Sequence, residues 1–163
     1  MSEPDEPVSS DGTPLAMYAW HEAGHAVYAI VKQIGLISAW VDRDHAPPNA
    51  PSHGCKCRKP SSDELLSGLQ AAGAAGETLL GRCDRYDIVA HAMNDYTLVL
   101  GIIKEKRLRM ADGIAWIRAR EIDAEQVLAL HRDAFEAVAR ELLAKGTLSG
   151  EEVAEVMGRA SAL

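Results

Sequence analysis

Apolar residues recur at helical spacing over about residues 14–34, where Trp20, Ala23, Val27, Ile30, Val31 and Ile34 form one stripe. Thr13 followed by Pro14 predicts the start of this helix, with a hydroxyl at the N-cap and a proline in the first turn, and Gly35 predicts its end. The pattern then changes. LISAWV, residues 36–41, has strand character. Residues 42–60 read as a proline-bearing loop around His53-Gly54-Cys55-Lys56-Cys57, with room for one more short strand at about 54–58. Ser61 or Ser62 caps a second helix, and Asp63 and Glu64 follow in its first turn, where the macrodipole favours negative charge. This helix carries Leu65, Leu66, Leu69, Ala72, Gly73, Gly76 and Leu80 and ends near Gly81. A mid-helix glycine costs roughly 1 kcal/mol against alanine, so the small residues here imply that another backbone packs closely.

Residues 82–86 form a polar connection. A third helix is predicted over about residues 87–109 and a short helical piece over about 111–120. A fourth, long helix is predicted over about 123–144, with Val127, Leu130, Ala134, Val138 and Leu142 along one stripe and Gly146 ending it. Ser149 caps a final short helix, and Glu152 three residues on completes a capping box. There is no internal repeat or low-complexity tract. Residues 1–12 are rich in Ser, Asp, Glu and Pro and read as a flexible acidic tail, leaving residues 13–163 as one domain.

The 163 residues suit a single domain. Alanine occurs 26 times while aromatics make up only 5%, which favours closely packed helices over a sandwich or barrel. The expected fold is therefore mainly α and compact, with a small β element. The balance of 17 basic against 24 acidic residues gives a net charge of -7, which argues against nucleic acid and against an anionic membrane surface as partners. The acidic start lacks the apolar core of a signal peptide, and no apolar run reaches the ~18 residues of a membrane span. With three cysteines, Cys55, Cys57 and Cys83, a reducing, cytoplasmic setting is expected.

The strongest chemical signal is HEAGH, residues 21–25. On a helix, positions i and i+4 share a face, so His21 and His25 can address one metal ion. Two imidazole nitrogens suit Zn2+, and Glu22 beside them can polarise a water as general base, the HExxH arrangement of metallopeptidases. A catalytic zinc site takes three protein ligands and keeps a fourth position open. The candidates for the third are His45, His53, Cys55, Cys57, Glu77, Asp87, His91, Asp95 and His131, and spacing alone does not choose among them. His91 and Asp95 are themselves i and i+4, so a small rotation separates those two choices.

The other chemistry-bearing residues read more simply. His53, Cys55 and Cys57 lack a convincing fourth partner for an auxiliary metal site and read as an exposed loop with thiols open to oxidation. Cys83 reads as a structural or surface thiol, His91 as a neighbour of the metal ligands or a surface group, and His131 as solvated. The run KEKRLR, residues 104–109, is a solvated helix end whose cations suit the C-terminal dipole. Trp40 and Trp116 read as core or interface anchors.

Four segments occur in order: WHEAGHAVYAIV at 20–31, AAGAAGETLLG at 71–81, MNDYTLVLGI at 93–102, and EIDAEQVLALHRDAFEAVARELLAKGTLSGEEV at 121–153. Together they resemble the peptidase domain of the FtsH-type ATP-dependent zinc proteases, including the mitochondrial AAA proteases, over about residues 15–157. The resemblance implies that the aspartate of the Asn-Asp pair, Asp95, is the third zinc ligand. It also implies that substrate lies extended along an edge strand, here within residues 36–58. Two departures matter. That family carries an ATPase module and usually a membrane anchor ahead of the peptidase, and these residues contain neither, nor a GxxxxGK[ST] phosphate loop. The family also shows two adjacent acidic residues before the segment matching 78–81, where this chain has Gly76 and Glu77, so the role of the first acid is lost or moved.

The expected activity is thus a zinc-dependent metalloendopeptidase acting on peptides or unfolded proteins, independent of ATP, with a separate ATPase or self-association as candidate partnerships. Two alternatives stand beside it: a non-catalytic peptide-binding or adaptor module of the same fold, and a dedicated protease for a single regulator protein. An intact Glu22 speaks against a pure binder, which has no need of the base.

Overall fold

A computed structural model of the chain describes residues 7–8, 13–81 and 85–162. Apart from Pro7 and Val8, the expected acidic tail therefore lies outside the described residues, as does Cys83. The fold is mainly α with a small antiparallel sheet. Among the described residues the helices are α1 (Leu15–Val31), α2 (Asp63–Leu80), α3 (Arg85–His91), α4 (Met93–Glu105), α5 (Met110–Leu130), α6 (Arg132–Lys145) and α7 (Gly150–Ser161). The strands are β1 (Leu36–Trp40), β2 (Gly54–Cys57) and β3 (Thr147–Ser149), in the order β2-β1-β3.

The central element is α1, buried almost all round its axis from Ala16 to Ala29. Its alanines admit α2 on one side, while Phe135, Val138 and Leu142 of α6 close the core on another. The ring of Phe135 meets Trp20 edge-on, with centroids 5.1 Å apart. The α1–α2 approach is as close as the small residues of α2 predict. A Cβ on Gly24 would run into the carbonyl oxygen of Ala72 and lie 3.0 Å from its carbon. That neighbour is backbone inside a helix and cannot swing aside. Gly24→Ala is expected to destabilise the fold by about 1–3 kcal/mol, the usual cost of overpacking. At roughly 2–4 °C per kcal/mol for a chain this size, a thermal melt several degrees below wild type is the check. An unchanged melting temperature would mean that the two helices do not pack this closely.

The helix boundaries follow local chemistry with four corrections. First, α1 begins at Leu15, with Pro14 at the N-cap, and ends at Val31 rather than residue 34. Gln33, at φ 57, takes the helix-ending position expected for Gly35, which is also left-handed at φ 84 but lies farther on, and Ile34 N–H reaches back to Ala29 O at 2.9 Å. Burial of Ile34 secures this reversal. Second, the predicted helix over 87–109 is two helices that meet at Ala92, φ -87 and ψ 9. No proline or glycine marks the bend, which falls between His91 and Asp95, two groups held by different partners. Third, the piece over 111–120 runs on without a break into α5, and the predicted helix over 123–144 is divided at His131, φ -112 and ψ 32. His131, half-buried at that bend, is less solvated than expected. Fourth, β3 has no counterpart in the predicted elements. Its three residues are too short for a periodic signal, and it exists by pairing with β1, Ala39 opposite Leu148.

Other boundaries agree. Ser62 caps α2 through Leu65 N–H at 3.1 Å, and Gly81 ends it in the left-handed region at φ 70. Ser149 and Glu152 form the capping box of α7. Trp40 is buried, as expected for an anchor, and Trp116 is half-buried with its indole N–H on Ser67 Oγ at 3.1 Å.

Candidate metal centre

His21 and His25 lie one turn apart on α1 and point into the space between α1, α2 and α4. Both are buried, at 3% and 6% exposure. Each ring has one nitrogen already committed. His21 Nδ1 donates to Glu77 Oε1 at 2.7 Å, and His25 Nδ1 donates to the Leu69 carbonyl at 2.7 Å. Both acceptors belong to α2. They fix the ring orientations and leave both Nε2 atoms facing each other at 3.1 Å. Asp95, on the first turn of α4, brings Oδ2 to 3.0 Å from His21 Nε2 and 3.3 Å from His25 Nε2. Gly73 makes the space: a Cβ there would stand 2.5 Å from His21 Nε2 and 2.6 Å from His25 Nε2.

Among the described residues, His21, His25 and Asp95 are the one group of three or more metal-ligating side chains whose donor atoms lie within 4.8 Å of one another. Two imidazole lone pairs at 3.1 Å repel unless a proton or a cation lies between them. Ligands roughly 2.0–2.1 Å from a tetrahedral zinc ion stand about 3.3–3.4 Å apart, so the triangle of 3.0–3.3 Å needs only a slight expansion to hold one. The donor set, two nitrogens and one carboxylate, fits Zn2+. The electrostatics agree. Burial alone would lower the pKa of His21, but Asp95 and Glu77 outweigh it and push it up to about 10. His25 is raised too, with burial opposing and Asp95 prevailing. Burial works against the Asp95 carboxylate, but the two histidines hold its pKa well below the usual range. The pocket is built around positive charge.

No protein-family model matches this chain, and no curated protein sequence matches it significantly.

Glu77 is fully buried and bridges two rings, holding His21 through Oε1 and His91 Nδ1 through Oε2 at 2.9 Å. The single acid of the Gly76-Glu77 pair thus holds the His21 ring from the side away from the triad. His91 touches Glu77 rather than joining the triad. Glu22, 2% exposed, accepts from His53 Nδ1 at 2.7 Å through Oε1, while its Oε2 is buried with no hydrogen-bond partner. A cavity of about 220 Å³ opens beside the triad, lined in part by Glu22, His25, Asp95, His53, Cys55 and Cys57.

The remaining sequence candidates are not brought to the centre. His45 pairs with Asp42 at 2.6 Å on the surface, Asp87 is exposed, and His131 lies at the α5–α6 bend. Cys55 and Cys57 are free and half-buried, with Sγ atoms 3.7 Å apart. His53 faces Glu22 instead, so the three do not gather as an auxiliary site. Sequence reasoning missed this contact of His53, because a loop residue 31 positions away carries no periodic signal. No helix among the described residues is long and apolar enough to cross a membrane.

Proposed function

We propose that this chain is a zinc-dependent metalloendopeptidase that hydrolyses peptide bonds in peptides or unfolded proteins, of the FtsH-type peptidase class that its motifs resemble. The observation that carries the reading is the pairing of a three-donor centre with a buried glutamate whose second oxygen lacks a partner. A structural ion site has no use for such an oxygen, because a buried acceptor left unpaired costs about 1–3 kcal/mol. A general base needs it.

His21, His25 and Asp95 would hold the ion. Zinc supplies Lewis acidity there, toward a carbonyl oxygen and toward water. Glu77 and the Leu69 carbonyl keep the two imidazoles in the tautomer that presents Nε2. Glu22 Oε2 accepts a proton from the attacking water, holds it, and delivers it to the leaving amine. Among the described residues β2 is an edge strand in the order β2-β1-β3, and it lines the cavity. An extended peptide can add there by main-chain hydrogen bonding, which favours unfolded substrates. The free thiols of Cys55 and Cys57 suit a reducing compartment, the cytoplasm.

The direct test is degradation of an unfolded protein beside a stably folded one, each with and without ATP and with and without a zinc chelator. The expected result is cleavage of the unfolded substrate alone, abolished by chelator, restored by zinc and indifferent to ATP. A folded substrate would call for a separate ATPase to unfold it. Cleavage that survives chelation, or ATP stimulation of the isolated chain, would contradict the reading.

A further inference from the structure

We propose that His53 is a positioning residue for Glu22, holding one carboxylate oxygen so that the other is presented to the reaction space. This rests on the peptidase reading and adds to it a group outside HExxH and outside the metal triad.

His53 is itself held on two sides. Its ring lies flat on Tyr18, with centroids 3.8 Å apart and planes 15° from parallel. The chain just before it is braced by Trp40, whose indole N–H donates to Pro51 O at 3.0 Å. The same indole passes so close to Gly54 that a Cβ there would stand 2.5 Å from Trp40 Cζ2. The segment on both sides of His53 is thus fixed to β1, and the ring is fixed to α1. From that position Nδ1–H meets Glu22 Oε1 at 2.7 Å.

The terminal torsion of a glutamate is broad, so burial alone does not set the plane of the carboxylate. One strong hydrogen bond on Oε1 does. It leaves Oε2 as the unpartnered atom, and Oε2 is the atom the proton transfer needs. A group that locks a catalytic side chain in this way acts through geometry, much as outer-shell partners do for metal ligands. Packing alone would give His53 a different signature: any flat ring on Tyr18 would serve.

The test separates the two with the purified full chain. His53→Phe keeps the stack and removes the donor, whereas His53→Asn restores an amide donor near the Nδ1 position. With zinc content equal, His53→Phe is expected to lower kcat by about 10–100-fold with KM within about twofold, and His53→Asn to recover most of kcat. In a Glu22→Gln background His53→Phe is expected to cost nothing further, because the two act as one unit. A readout independent of activity is the ring tautomer of His53 from long-range 1H–15N correlation spectra, expected as Nδ1–H in wild type and lost in Glu22→Ala. Wild-type kcat in His53→Phe, an effect on KM alone, additive losses in the double variant, or an Nε2–H ring in wild type would each overturn the proposal. If wild type cleaves nothing, the peptidase reading falls, and the tautomer still decides whether His53 holds Glu22.

Discussion

Glu22→Gln is expected to leave the chain folded and zinc-loaded while lowering peptide hydrolysis by about 10²–10⁴-fold, the usual contribution of a positioned general base. The amide has nearly the size and shape of the carboxylate, so the packing around a residue 2% exposed is kept. Its oxygen can still accept from His53 Nδ1, so the loop should stay in place. What is lost is the second acceptor. The Oε2 position becomes an NH2 group, which cannot take a proton from water. Stability gives a second, independent readout. The amide NH2 takes the place of Oε2 and is left without a partner there, as the oxygen is. The melting temperature of Glu22→Gln should therefore stay within a few degrees of wild type. A zinc-loaded variant that still cleaves at the wild-type rate would remove Glu22 from the mechanism. A variant that loses zinc or fold would show that the glutamate is structural.

How far the sequence reveals this site depends on how local each contact is. His21 and His25 are legible because helical periodicity alone puts them on one face, and the apolar stripe running through Trp20, Ala23, Val27 and Ile30 marks that helix. Ser62, Gly81, Ser149 and Glu152 are legible because capping is chemistry within three or four residues. Asp95 was not singled out by spacing; the resemblance of MNDYTLVLGI implied it, and the structure places it with the two histidines. The bends at Ala92 and His131 were invisible, since neither carries a proline or glycine and each depends on what the helices on either side pack against. His53 was the hardest case. Its meaning comes from Tyr18 and Glu22 on α1 and from Trp40 on β1, all brought near by the fold, and the nearby cysteines drew attention to a different grouping.

The bend at Ala92 leads to the second large effect, since it decides which of two residues completes the centre. His91 and Asp95 sit on opposite sides of it. His91 is turned to Glu77, and Asp95 is turned to both histidine Nε2 atoms. On an unbroken helix the pair would share one face and compete for the same ion. Asp95→Ala is therefore expected to lose zinc, with metal content after dialysis falling from one per chain toward zero and hydrolysis falling with it. The loss of a ligand should exceed the ~10–100-fold drop in affinity typical of removing an outer partner. His91→Ala should show only that smaller drop, because Glu77 keeps its bond to His21 without it. Folding is not expected to limit either variant: the Asp95 side chain is 20% exposed and so is that of His91. The measurement is zinc stoichiometry and competitive affinity for both variants beside wild type. Full zinc occupancy in Asp95→Ala, together with its loss in His91→Ala, would reverse the two assignments and require α3 to turn His91 from Glu77 toward the site in solution.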